Sequence, residues 1–208
     1  ITANDAFKPV TRYFDRITRP EQIIQSFPAA VQTMLDPADC GPACIALSQD
    51  IQGQTFDYPE EFFKEKVHAI RRPRPDEFQI KEAAEKIKSS KNPIIISGGG
   101  VFYSDAMEEL SNFAVKHNIP VTQTVMGYST MKRDHSHYAG QIGGLGGKNT
   151  NSLAKQTDLA IAVGTKLADF TTGSWANFEN ENFQLVSINV SRFDANKHLA
   201  QAVVGDAK

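Results

Sequence analysis

Two glycine runs have the spacing that suggests chemistry: Gly98-Gly99-Gly100, and Gly143-Gly144 with Gly146-Gly147-Lys148 close behind. Glycine after a strand lets backbone N–H groups approach an anion, and a helix that follows turns its positive end toward a phosphate. Both runs miss the known nucleotide fingerprints. Tyr103 stands where the third glycine of G-x-G-x-x-G belongs, and a P-loop would need glycine at Ile142 and a hydroxyl at Asn149. Two readings stay open. Gly98, Gly99, Gly100, Gly143 and Gly144 hold a nucleotide-like ligand, or they make tight turns that let neighbouring elements pack closely.

Other chemistries find less support. Gly127, Ser129 and Met131 break the G-x-S-x-G pattern of a serine hydrolase. His135 and His137 lie in a polar stretch without a third ligand, which reads as a surface turn and not as a metal site. Cys40 and Cys44 flank Gly41-Pro42 at a spacing that fits neither zinc nor a redox pair, so they are expected to be reduced structural thiols. Arg71, Arg72 and Arg74, set among Pro59, Pro73 and Pro75, read as a solvated linker with no binding role.

The elements that position these residues alternate. Before the linker, a helix is expected over 20–35, with Thr18 as its cap, then a strand over 43–47 ended by Ser48, Gln49 and Asp50. A short helix over 60–67 lies inside the linker. Beyond Asp76 come a helix over 78–89, a strand over 93–97, the first glycine run and a helix over 104–117. Strands at 120–124, 158–164, 184–190 and 202–205 follow, with a glycine-rich loop over 140–147 and a helix near 151–155. Short buried strands separated by helices argue an α/β fold with a Rossmann-like, doubly wound parallel sheet, preceded by a partial α/β segment.

The bulk numbers agree with a folded domain. The 208 residues carry a formal charge of -2, with 40% hydrophobic, 22% charged and 9% aromatic residues, which excludes a disordered or fibrous chain. There is no basic stripe, so nucleic acid is not an expected partner. The longest aliphatic run, Ile94 to Ile96, is far too short to span a bilayer, and residues 1–8 do not form a signal peptide. A cytoplasmic location without a membrane partner is expected. Both ends read as cut points in a longer chain, since no Met begins it and Lys208 directly follows a strand-like stretch.

The order of these features resembles the thiamine-diphosphate-dependent enzymes. Asp5-Ala6-Phe7, Pro20-Glu21, Gly41-Pro42 and Gln49-Asp50 are similar to the end of their pyrimidine-binding domain. Pro93 to Val101 (PIIISGGGV), Ile119-Pro120-Val121, Gly140 to Gly144, Asp158 to Gly164 and Gly205-Asp206-Ala207-Lys208 are similar to their middle domain. The resemblance implies a pyrimidine-domain segment over 1–56, a linker over 57–76 and the middle domain over 77–208. Four further stretches resemble the members that open cyclic 1,2-diones: FKPVTRYFDRIT from Phe7, SQDIQGQTFDYP from Ser48, DFTTGSW from Asp169 and INVSRFDANKH from Ile188. The alternatives are another lyase of the family, such as a carboligase or decarboxylase, and a nucleotide-binding module.

By that resemblance the whole protein would be a hydrolase of a small cyclic dione, using thiamine diphosphate and Mg2+ and forming a homo-oligomeric dimer or tetramer. The activating glutamate would lie upstream, and the magnesium motif with its partner Asn would not be complete in this chain, so this chain alone is expected to be inactive. Phe7 and Lys8 sit where related carboligases place an aromatic residue and a glutamine beside the substrate, which makes them the only substrate-side candidates. Some relatives carry FAD across loops equivalent to the two glycine runs. Hydrolysis needs no redox group, and FAD is not expected.

Overall fold

The computed structural model describes residues 2–208, which divide into a unit ending at Arg71 and a unit over Arg72–Lys208. In the first, helix α1 (Ala3–Phe7) precedes strand β1 (Tyr13–Ile17), helix α2 (Ile23–Leu35), strand β2 (Ala43–Leu47) and helix α3 (Gln49–Gln52). β1 and β2 pair in parallel, with Asp15 opposite Ile45. The expected helix over 20–35 begins as one 3-10 turn, Pro20–Gln22. Thr18 does not cap it: its N–H donates to Oε1 of Gln22 at 3.1 Å. Gln22 and Ser26 in turn donate to Asp15, which holds that carboxyl below the usual range, the Ser26 hydroxyl contributing most.

Part of the stretch read as linker is ordered by aromatic packing. Tyr58 stacks on Phe62 with ring centroids 5.9 Å apart, Phe62 meets Phe27 of α2 edge-on at 6.5 Å, and the Tyr58 hydroxyl donates to the Pro20 carbonyl at 3.2 Å. The helix expected over 60–67 is only a 3-10 turn, Glu60–Phe63. Cys40 and Cys44 are both free thiols. Cys40 is exposed, so its expected packing role is wrong.

The second unit is a six-stranded, wholly parallel sheet. After helix α4 (Glu77–Ser89) come strand β3 (Pro93–Ser97), helices α5 (Gly99–Tyr103) and α6 (Met107–His117), and strands β4 (Val121–Gln123) and β5 (Tyr138–Gln141). Helix α7 (Lys148–Gln156), strand β6 (Leu159–Val163), helix α8 (Asp169–Thr172), strand β7 (Gln184–Asn189), helix α9 (Arg192–Ala195) and strand β8 (Gln201–Val204) complete it. The strand order is β5-β4-β3-β6-β7-β8. The chain runs outward from β3 to one edge, returns to pair β6 beside β3, and runs outward again, which is the doubly wound arrangement.

β3 is apolar up to its last residue, Ser97, because both of its faces are covered. Ile95 joins a core with Val121, Ile161, Val186 and Val203, roofed by Ala83 of α4 and by Leu110 and Ala114 of α6. Ile94 and Ile96 point to the other side, toward Ala160, Ala162, Leu185 and Ala154 of α7. Helix ends follow their charges: Asp76 accepts the Phe78 N–H at 2.8 Å at the start of α4, and Asn118 closes α6 in the left-handed region after Lys116 and His117.

Two expected elements differ. The helix expected over 104–117 begins only at Met107, after Asp105 at φ 54°, and the glycine run before it, expected as a loop, opens a separate short helix, α5. The loop expected over 140–147 begins inside an edge strand, where Gly140 at φ 98° carries the register shift against β4. That is a bulge position, which glycine fills without strain.

Asp158 ties the start of β6 to the turn before β3. Its carboxylate accepts from the Ser90 hydroxyl and from the N–H groups of Lys91 at 2.7 Å and Asn92 at 3.0 Å. Burial pushes its pKa up, but these three donors outweigh burial and leave it below the usual carboxylate value. A carboxyl whose pKa is lower folded than unfolded stabilises above the unfolded value, and that contribution is lost as pH falls through the folded one. Asp158→Ala is therefore expected to cost about 1–3 kcal/mol near neutral pH and to flatten the acid limb of the stability curve below about pH 4. Urea midpoints at neutral pH and at about pH 3 check this; an equal loss at both would contradict the charge account.

Candidate functional site

In an open parallel sheet the ligand crevice opens at the carboxyl ends of the strands, where the order reverses. Here that point lies between β3 and β6. The Gly98–Gly100 run leaves β3 on one side, and Gly164 leaves β6 on the other. The Gly98 N–H donates to the Val163 carbonyl and the Gly100 N–H to the Gly164 carbonyl, both at 2.9 Å. A Cβ on Gly98 would sit 2.4 Å from the Gly164 carbonyl oxygen, and one on Gly100 would sit 2.5 Å from the Gly164 Cα. At the switch point, then, the backbone after β3 lies directly against the backbone after β6.

The remaining candidate glycines are used the same way. A Cβ on Gly99 would lie 3.1 Å from the Met126 carbonyl oxygen, one on Gly143 would lie 2.3 Å from that of Phe170, and one on Gly144 would meet the Phe170 ring at 3.0 Å. Both runs therefore reach the same sheet edge, on either side of the segment that follows β6. Gly127 and Gly164, to which the sequence alone assigns no role, complete the packing. A Cβ on Gly127 would stand 2.1 Å from the Ser97 carbonyl oxygen, and Gly164 has φ 60°. Single glycines one or a few residues past a strand were the available signal.

Buried polar groups lock the loops in place. The Ser97 hydroxyl donates to Oγ1 of Thr130 at 2.7 Å, Thr130 donates to the Gly127 carbonyl at 2.8 Å, and the Gln123 amide donates to the Met131 carbonyl at 2.9 Å. On the β6–β7 side of the switch, the Asn189 amide donates to the Thr165 carbonyl at 3.1 Å. These are satisfied donors in a buried network, which fixes one loop arrangement.

A surface groove of about 590 Å³ lies at the opposite, amino edge of the sheet, lined by Lys86, Trp175, Phe183, Gln184 and His198 among others. Trp175 and His198 meet edge-on there at 4.4 Å. None of the glycine runs reaches it.

Phe7 and Lys8 lie together at the end of α1, both exposed. Nζ of Lys8 is 3.7 Å from the Asp5 carboxylate and 5.5 Å from the centre of the Phe14 ring. His135 and His137 form the expected turn, with Nε2 of His137 3.1 Å from Oδ1 of Asn118. Among the described residues no three His, Cys, Asp or Glu side chains converge in a group that could hold a metal ion. No helix among them is long and apolar enough to cross a membrane.

Arg72 has a role that a solvated linker would not give it. Its Nη1 lies 3.2 Å from Oδ1 and 3.4 Å from Oδ2 of Asp206, whose side chain is only 10% exposed. The same carboxylate accepts from the Ser104 hydroxyl at 2.8 Å and from the Lys208 N–H at 2.9 Å. The Asp206 N–H donates to the Pro73 carbonyl at 2.8 Å.

Comparison with known proteins adds an identity to this geometry. Residues 80–208 match the family described as thiamine pyrophosphate enzyme, central domain. A protein named 3D-(3,5/4)-trihydroxycyclohexane-1,2-dione hydrolase from Clostridium perfringens is 48% identical over all 208 residues, and one of the same name from Bacillus subtilis is 47% identical over the same span. The chain spans 33% of the length of each. The crystal structure of benzoylformate decarboxylase from Polynucleobacter necessarius superposes with a TM-score of 0.77 over 97% of this chain and 37% of that one. At 21% identity, that last likeness speaks for the fold alone.

Proposed function

The chain belongs to the family of thiamine pyrophosphate enzymes, through their central domain, and from that premise we propose that it is an interior portion of a hydrolase opening the ring of 3D-(3,5/4)-trihydroxycyclohexane-1,2-dione. The observation that carries this is the 48% identity with a protein of that name, sustained over all 208 residues. It includes the first 79 residues, which lie outside the family match, and with them the stretches from Phe7 and Ser48. On this reading residues 1–56 close the pyrimidine-binding domain, 57–76 link, and 77–208 form the middle domain.

Thiamine diphosphate, held with Mg2+ by other parts of the whole protein, supplies the carbanion-stabilising centre for breaking the bond between the two carbonyls. Water then completes the opening to 5-deoxyglucuronic acid, a step of myo-inositol breakdown. This chain's own share is architectural: a rigid parallel sheet that sets the spacing of the cofactor-binding parts in a cytoplasmic homo-oligomer. We read Gly98, Gly99, Gly100, Gly143 and Gly144 as packing glycines, Lys8 as a surface partner of Asp5, and FAD as having no place in the reaction.

The test is made on the whole protein. Loss of the cyclic dione is followed with and without thiamine diphosphate and Mg2+, and the same preparation is titrated with FAD and ADP. Ring opening that requires both additions, in a colourless protein that binds neither nucleotide, is expected. Turnover of pyruvate or glyoxylate in place of the dione would overturn the substrate, and saturable nucleotide binding would overturn the packing role of the glycines.

A further inference from the structure

The arriving and departing ends of the Arg72–Lys208 unit lie side by side, and one carboxylate joins them. The Arg72 guanidinium grips Asp206 from the arriving segment, the Asp206 N–H donates to the Pro73 carbonyl, and Gly205 has no Cβ because one would stand 2.5 Å from Cδ of Pro75. The third party is the break between α5 and α6. Ser104 donates to Asp206, while Lys208 Nζ donates to the Asp105 carbonyl at 3.1 Å and approaches the Glu109 carboxylate at 3.5 Å. Asp105, in the left-handed region at φ 54°, carries that carbonyl in the break between the two helices.

We propose that Arg72 and Asp206 form a positioning clasp, which makes both connections of the central domain leave from one fixed point and so sets the geometry of the thiamine diphosphate site without touching it. A chain that arrives and departs through separate flexible segments lets its neighbours drift, whereas reacting groups need placement to within a fraction of an ångström. The chemistry of the pair suits this task. A guanidinium on a carboxylate that is nearly buried and carries two further donors is a charge-assisted, directional contact, unlike an exposed pair that solvent screens. The inference rests on the reading of the whole protein as a thiamine diphosphate enzyme.

The experiment uses the whole protein. Arg72→Gln, Arg72→Lys, Asp206→Asn and the double variant Arg72→Gln/Asp206→Asn are titrated with thiamine diphosphate at fixed Mg2+, beside thermal unfolding of each. Arg72→Gln and Asp206→Asn are each expected to raise the thiamine diphosphate Kd by about tenfold, Arg72→Lys to recover part of that, and the double variant to be no worse than either single one. Melting alone would report a purely structural role; the Kd would then stay at its wild-type value, and the clasp would be overturned. Should Asp206→Asn fail to fold, the half-exposed Arg72 decides by itself, and an unchanged Kd in Arg72→Gln overturns the clasp equally. A wild-type protein that binds no thiamine diphosphate would sink the underlying reading, an outcome distinct from a variant that binds it normally.

Discussion

Gly164→Val is expected to abolish folding of the Arg72–Lys208 unit, or to cost it upward of about 4 kcal/mol. Two independent penalties fall on this position. At φ 60° a β-branched side chain is strained by itself. A Cβ there would also lie 2.5 Å from Cα of Gly100 and 2.8 Å from the backbone nitrogen of Val101. These are backbone atoms of α5, which follows a central strand, so no rotamer change relieves the contact. Gly147→Ala is the control. The nearest atom to a Cβ at that position is Thr150 Oγ1 at 3.8 Å, and φ is -67°, so a loss below about 1 kcal/mol is expected. Urea unfolding followed by the fluorescence of Trp175, the sole tryptophan, separates the two. Similar midpoints for both variants would show that the Gly100–Gly164 contact is slack.

Ile96→Ala is expected to cost about 3–5 kcal/mol. Ile96 is 0% exposed on β3, which pairs with β4 on one side and β6 on the other. Its neighbours explain why the loss falls toward the upper end. Ala154, Ala160 and Ala162 are already small and are held by a helix and a strand, so they have no side chain with which to fill the hole. The half-exposed Ile80 on α4, truncated to Ala, should cost less than about 1 kcal/mol. A loss at Ile96 no greater than at Ile80 would mean that the sheet relaxes around the cavity.

Much of the second unit was legible from periodicity because a doubly covered strand is apolar at every position. Pro93–Ser97 and Leu159–Val163 fall where continuous aliphatic runs place them, and Gln184–Asn189 falls around Leu185, Val186 and Ile188. Tyr138–Gln141 was missed because it is an edge strand of intermediate exposure with a glycine bulge in its middle, and glycines dominate a local reading. Tyr13–Ile17 was missed for a related reason: Asp15 and Arg16 interrupt its apolar pattern, and what offsets the burial of Asp15 is a pair of donors, Gln22 and Ser26, that come later in the chain. The candidate glycines were visible, but the backbone segments that lie against them were not. Whether a glycine faces a ligand or another backbone depends on a segment that arrives several elements later, and no local window contains it. The Arg72–Asp206 pair lies beyond reach for the same cause, with a separation of 134 residues.

The strand order also has a consequence in time. β3 is the first strand of its sheet to be made and the one at its centre, yet its partner β6 follows only after α5, α6, β4, β5 and α7. At synthesis rates of roughly 5–20 residues per second, Ile95 waits several seconds for Ile161 to emerge. For that interval the nascent chain carries a three-stranded half-sheet whose most apolar strand has a bare hydrogen-bonding edge, the kind of edge that recruits other chains. The delay favours a chaperone or slow, dilute expression over rapid overproduction, and inclusion bodies from a fast promoter would be a kinetic outcome of this topology, independent of the stability of the finished sheet.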